Sequence, residues 1–215
     1  MRVATLGERD RAAIVQLFAE AGQAVEVRIV LPGIPDPATR TGFRAAAAEL
    51  AEIVPWVTVR EIGAADGAGS VERIPGIALF RPDGTDLRVR FAGLPSGYEM
   101  TSFLTAVADA AAPESRLQAQ TRMALDGLDG DVRILVFSTP TCPHCPRAVR
   151  LAAQMALASP RVFAEAVDAL HFGGLAGLYQ VRGVPRIVFN RRVHVEGAVP
   201  EAAFLGNLLA SVAGA

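Results

Sequence analysis

The hydrophobic pattern of the chain repeats. Val27-Arg28-Ile29 and Val132-Arg133-Ile134 are β-branched apolar runs 105 positions apart, and the same slide brings Pro35 onto Pro140 and Pro55 onto Pro160. Each run leads into a proline-bearing loop, an alanine-rich helical stretch and a second short strand, Trp56-Val57-Thr58-Val59 in the first half and Val162-Phe163-Ala164-Glu165 in the second. With a small extra shift, Arg73-Ile74-Pro75 faces Gly183-Val184-Pro185, and both lead into strands, Ile77 to Phe80 and Ile187 to Phe189. Phe91-Ala92-Gly93 then matches Val195-Glu196-Gly197 ahead of a closing amphipathic helix. Two copies of one supersecondary unit account for this pattern.

The order predicted for each unit is helix, strand, helix, strand, short helix or loop, hairpin, helix. A strand-helix-strand start followed by a hairpin implies an α/β fold with a mixed sheet and helices on both faces. Pro82-Asp83-Gly84 and Asn190-Arg191 supply the hairpin turns. Pro113-Glu114-Ser115 is a helix start signal, with Ser115 and Gln118 at capping-box spacing. The boundary therefore falls between units 1–112 and 113–215, and a chain of 215 residues, 51% of them apolar, has room for both cores.

Charge excludes more than it suggests. The net charge is −1 and no run of like charges occurs, so nothing points to nucleic acid or to an anionic membrane. The first residues lack the apolar core and cleavage site of a signal peptide, and no stretch is long enough to span a bilayer. A soluble, cytoplasmic protein is expected. The chain has two cysteines, Cys142 and Cys145, separated by Pro143 and His144. In a reducing compartment such a pair reads as metal-binding or catalytic before structural. Zinc needs four ligands, and beyond the pair the chain offers His144, His171, His194 and carboxylates, without a second Cys-x-x-Cys or a His-x-x-x-His. A c-type haem needs histidine after the second cysteine, where Pro146 stands. A structural disulfide closing so short a loop constrains the unfolded chain little. The redox couple is carried forward, with the metal clamp and the structural staple as its rivals.

The element order, a Cys-x-x-Cys at a strand-to-helix junction and a later Val184-Pro185 resemble the thioredoxin fold. More narrowly, the chain resembles the two-unit, glutaredoxin-like protein disulfide oxidoreductases of thermophiles, which are tandem thioredoxin folds. The residues that carry the likeness are the run from Arg90 to Glu99, Thr139 to Pro146, Gly183-Val184-Pro185, and Gly197 with Pro200-Glu201. It departs from them at Pro37 and Arg40, which the 105-residue offset sets opposite Cys142 and Cys145, so the first unit is expected to be redox-silent. The same asymmetry is similar to the N-terminal domain of the alkyl hydroperoxide reductase flavoprotein.

The resemblance implies a protein-disulfide oxidoreductase with Cys142 as nucleophile, Cys145 as resolving thiol and no bound cofactor. A flavoprotein disulfide reductase or glutathione would supply electrons, and protein disulfides, a peroxiredoxin among them, would receive them. Cys142 is expected exposed, at or just before the first helical residue, where unpaired N–H groups and the helix dipole stabilise a thiolate. Cys145 is expected one turn further in, and Pro146 suits the first turn. Pro143 and His144 are the tuning residues, because an imidazole that stabilises the thiolate makes the disulfide a better oxidant. Val184-Pro185 is expected to be cis and to leave the Val184 backbone to a substrate strand. Arg147 and Arg186 are candidates for positive charge near the sulfurs, and Asp168 and Glu165 are weaker candidates for a proton acceptor. The buried acid of thioredoxins would fall on Val136. A competing reading from another class is a non-catalytic module that binds peptides or proteins in the groove of the paired folds.

Overall fold

The alternation of side chains decides the strands. In β1 (Val25–Val30) the residues Val25, Val27 and Ile29 are buried in the main core while Glu26 and Arg28 point the other way. β5 (Val132–Ser138) splits in the same manner, with Ile134 and Val136 on one face and Leu135 and Phe137 on the other. The remaining elements are α1 (Glu8–Leu17), α2 (Pro37–Ile53), β2 (Val57–Glu61), β3 (Gly76–Phe80), β4 (Asp86–Ala92), α3 (Tyr98–Ala111), α4 (Ala119–Asp126), α5 (Cys145–Ala158), β6 (Val162–Asp168), α6 (Gly173–Leu178), β7 (Arg186–Phe189), β8 (Val193–Glu196) and α7 (Glu201–Val212). The structure, a computed structural model, describes residues 7–31, 36–63 and 73–213.

The strands form one eight-stranded sheet in the order β2-β1-β3-β4-β6-β5-β7-β8. Each half contributes four neighbouring strands, and parallel pairing of β4 with β6, from Val89 beside Ala164 to Ala92 beside Val167, joins them. The sheet is mixed, as expected, but it is continuous across the two halves.

Strand registers correct the repeat. Val25 pairs with Val57 as Val132 pairs with Val162, and Val30 pairs with Gly76 as Phe137 pairs with Arg186, so β1 and β5 correspond at an offset of 107 and not 105. A slip of two keeps every side chain on its own face, which is why the apolar pattern matched at the wrong register. The helix starts at Pro37 and Cys145 differ by 108, so Pro37 faces Cys145 and the position facing Cys142 falls among residues 32–35, with Pro35, outside the described residues. Pro37-Ala38-Thr39-Arg40 is the first turn of α2. There the Asp36 carboxylate accepts hydrogen bonds from the Thr39 N–H at 2.9 Å and its hydroxyl at 2.6 Å.

The two faces of the sheet are covered differently. Side chains of α1, α2, α3, α4, α5 and α7 share one large core with it, in which Ile134, Phe189 and Phe204 are fully buried. Burying each such side chain contributes about 1.5–3 kcal/mol. The opposite face packs α6 over Leu135, Phe137, Val167 and Val188. Beyond α6 that face is lined by arginines and rings, with the Arg28 guanidinium 3.8 Å from the Phe80 centroid and that of Arg133 4.6 Å from Phe163.

Between the halves, the expected capping box does not form. α4 begins at Ala119 with Gln118 as its N-cap and no side-chain cap, while the Ser115 hydroxyl accepts from the Leu117 N–H and Glu201 accepts from the Gln118 N–H. The start signal is displaced because α7 supplies the acceptor.

The helices α3 and α5 cross the boundary together. Asp109 of α3, with its side chain 4% exposed, accepts two hydrogen bonds of 2.7 Å from Arg150 of α5 and one of 2.9 Å from Gln154. The carboxylate holds the Arg150 guanidinium above its usual pKa. Asp109→Ala removes the buried acceptor shared by Arg150 and Gln154, so a loss of about 1–3 kcal/mol in a denaturant titration is expected. A midpoint equal to wild type would show that the two helices are held by apolar packing alone.

Candidate functional site

Cys142 and Cys145 are joined in a disulfide, with their Cα atoms 5.5 Å apart. Cys142 lies in the turn that precedes α5 and donates its N–H to Thr139 O, while Cys145 is the first helical residue. The helix therefore starts one turn later than the sequence suggested. Pro146, whose nitrogen lacks a proton, occupies its first turn. The Cys145 N–H donates to Cys142 Sγ at 3.2 Å, so an unpaired amide of the helix start is aimed at that sulfur. Cys142 is 6% exposed and Cys145 1%, a correction to the open position expected of Cys142. The other half of the chain leans on the start of this loop.

That half supplies three contacts. The Tyr98 N–H donates to Pro140 O at 2.9 Å. Gly97, at φ +51°, comes so close that a Cβ there would lie 2.3 Å from the same oxygen, a distance no side chain tolerates. Glu99, 5% exposed, accepts the Ser138 hydroxyl proton at 2.8 Å at the end of β5, and its other oxygen is buried without a partner. Burial, with the Asp168 charge nearby, pushes the Glu99 carboxyl up to about 7 against the opposing pull of the Ser138 hydroxyl.

Sequence reasoning looked for a carboxyl on the strand before the cysteines and missed Glu99. The signal was present in Tyr98-Glu99-Met100-Thr101-Ser102-Phe103, where an acid stands on the face of α3 that Phe103 and Ala106 bury.

The other expected residues are spread over five places. Val184-Pro185 is cis, like Ile74-Pro75, and the prolines' carbonyls accept the N–H groups of Gly197 and Gly93 in matching positions. Pro143, His144 and Arg147 are exposed on the turn and the first turn of α5. Arg186 donates to Glu196 at 2.6 Å and lies 3.1 Å from His194 Nδ1, so its neighbours belong to β8. His171 is exposed beside Phe172, with ring centroids 4.8 Å apart. Asp168 accepts the N–H groups of Leu170 and His171, the work of a turn-capping acid. Glu165 is buried on the opposite sheet face with Arg73 and Arg133, roughly 10 Å along β6 from the cysteine end. Among the described residues, no three of His, Cys, Asp and Glu converge as metal ligands. Nor is any helix there long and apolar enough to cross a membrane.

A thioredoxin-like half carrying a cysteine pair, fused edge to edge with a second half of the same order, defines a disulfide-oxidoreductase-like protein of the thioredoxin fold. Residues 132–210 match the thioredoxin domain family. The chain is similar to the protein disulfide oxidoreductase of Aeropyrum pernix K1, with a TM-score of 0.82 and 28% identity over 95% of this chain and 93% of that one. It has the fold of the alkyl hydroperoxide reductase AhpF of Enterococcus faecalis, with a TM-score of 0.85 and 23% identity over 94% of this chain and 99% of that one. In sequence it is 32% identical over 129 residues to the corresponding alkyl hydroperoxide reductase of Pseudomonas aeruginosa, covering 60% of this chain and 25% of the relative. The chain thus spans about a quarter of the length of the curated relatives it matches.

The raised carboxyl has a pH signature. Glu99 holds its proton in the folded chain up to about 7 and releases it near 4.5 in the unfolded one, so folding takes up a proton between these values. Stability is then fullest below the lower value and falls as pH rises through the upper one. Urea titrations of the oxidised protein at pH 5 and pH 8 should show wild type losing about 2–3 kcal/mol relative to Glu99→Gln across that interval. Parallel pH dependences in the two proteins would place the carboxyl in water.

Proposed function

We propose that the protein is a cytoplasmic thiol-disulfide oxidoreductase that exchanges electrons with protein disulfides through Cys142 and Cys145. What carries this reading is the Cys145 N–H aimed at Cys142 Sγ, because the same amide and the helix start behind it stabilise a thiolate on Cys142. In the reduced protein, the Cys142 thiolate attacks one sulfur of a substrate disulfide. The substrate S–S bond breaks, a mixed disulfide forms and the departing thiolate takes a proton. Cys145 then gives up its proton and attacks Cys142 Sγ; the bond from Cys142 to the substrate sulfur breaks, the intramolecular disulfide re-forms, and the second substrate thiolate takes a proton from solvent, so the substrate leaves as a dithiol. We take Glu99 as the candidate acceptor of the Cys145 proton, because it is buried beside Ser138 at the foot of the loop and its carboxyl exchanges near neutral pH.

The chemistry uses two thiols and requires no bound cofactor. A flavoprotein disulfide reductase is the reductant favoured by the likeness to the alkyl hydroperoxide reductases, with glutathione as the other source. A peroxiredoxin is the acceptor class that goes with the first. The Val184 backbone, before the buried Pro185, is offered to the extended substrate segment.

Insulin reduction with dithiothreitol tests the reading, with trapping to separate the sulfurs. Wild type should turn over, Cys142→Ser should lose all exchange, and Cys145→Ser should attack once and accumulate a mixed disulfide seen as a mass adduct. Binding of unfolded chains without turnover would instead make the protein a recognition module.

A further inference from the structure

The helix-poor sheet face ends in a basin that the redox chemistry does not use. Its volume is about 290 Å³, near the lower end of the roughly 300–1,000 Å³ of small-ligand sites, and Arg73, Arg133, Arg191, Tyr179, Leu135, Val188 and Asn190 line it. Arg133 stands five residues before the cysteine end of β5, about 17 Å along the strand, so this is not part of the disulfide site.

Its lining is basic. Three arginines face the basin and, among the described residues, no acid lines it, in a chain whose net charge is −1. Arg73 and Arg133 both pair with the buried Glu165, which orders their guanidiniums, and Arg191 adds a third. Arg73 reaches Glu165 from the other half of the chain, 92 positions away, which brings both halves into one wall. The scaffold under Arg191 is fixed. The Asn190 side chain accepts the Arg133 N–H at 2.8 Å and donates to Asp131 O at 3.1 Å, tying the β7–β8 turn to the start of β5. The turn holds Arg191 itself exposed, at φ +61°. Tyr179, Leu135 and Val188 make the rest of the wall, an aromatic ring beside an apolar floor.

We propose that this basin binds a small organic dianion of the phosphate-monoester type. A tetrahedral dianion offers acceptors to guanidiniums from several directions, whereas the ring and the apolar floor suit an organic body. The site stands whether or not Cys142 and Cys145 exchange electrons.

Isothermal titration of the full chain at low salt, with phenyl phosphate, inorganic phosphate and phenol as probes, tests it. Phenyl phosphate should bind with one-to-one stoichiometry and more tightly than inorganic phosphate, and phenol should not bind. Arg191→Ala should weaken phenyl phosphate by about tenfold or more while the Tm of the unliganded protein stays at the wild-type value, and Arg191→Glu should abolish binding. Absence of saturable binding by either phosphate, or equal affinity in Arg191→Ala, would overturn the site. Equal affinity for the two phosphates would remove the organic body from it, and phenol binding as tightly as phenyl phosphate would remove the anion.

Discussion

The parallel ladder between β4 and β6 is the constraint on which the site depends. It sets the C-terminal end of a strand from the cysteine-free half beside the C-terminal ends of β6 and β5, where the cysteine loop begins. The residues that follow β4 then reach that loop. Gly93 packs against Asp168, with a Cβ there only 3.0 Å from the Asp168 Cβ, and Gly97, Tyr98 and Glu99 follow at the start of α3. Parallel strands need no hairpin between them, so the pairing can join residues far apart in sequence. A half without cysteines is in this way part of the wall around the half that holds both.

This arrangement explains where the acid is. β5 is buried on both faces, with Ile134 and Val136 under the main core and Leu135 and Phe137 under α6. A carboxyl on Val136 would sit deep among apolar groups. Glu99 instead enters at the C-terminal ends of the strands, where the Ser138 hydroxyl gives it one hydrogen bond and leaves the other oxygen unpartnered. Half-satisfied burial of this kind raises a carboxyl without expelling it.

Much of the fold was legible because it rests on local rules. The repeat, the hairpin turns and the matching prolines came from periodicity and turn chemistry, and the positive φ of Asn190 and Arg191 shows why that dipeptide turns. The register did not, because the apolar pattern is blind to a slip of two. The capping of α4 was misread because its acceptor, Glu201, lies 83 positions away. The cysteines were visible as a motif, but the burial of Cys142 and the contact of Glu99 with Ser138 were not. That contact depends on the β4–β6 pairing, and nothing local in β4 or β6 announces the other as its partner. Arg73 with Glu165 is the same case on the opposite face.

The claim that the cysteine-free half shapes the redox site is tested most directly by the reduction potential of the Cys142–Cys145 couple in Gly97→Ala, measured against wild type in glutathione buffers at fixed pH. The added methyl cannot coexist with Pro140 O at 2.3 Å, so the start of α3 and the loop carrying both cysteines must part. The account expects the potential to change by about 30 mV or more, the equivalent of 1.4 kcal/mol between the two redox states. A wild-type potential in a folded Gly97→Ala protein would contradict it, and would reduce the first half to a scaffold that the chemistry does not feel.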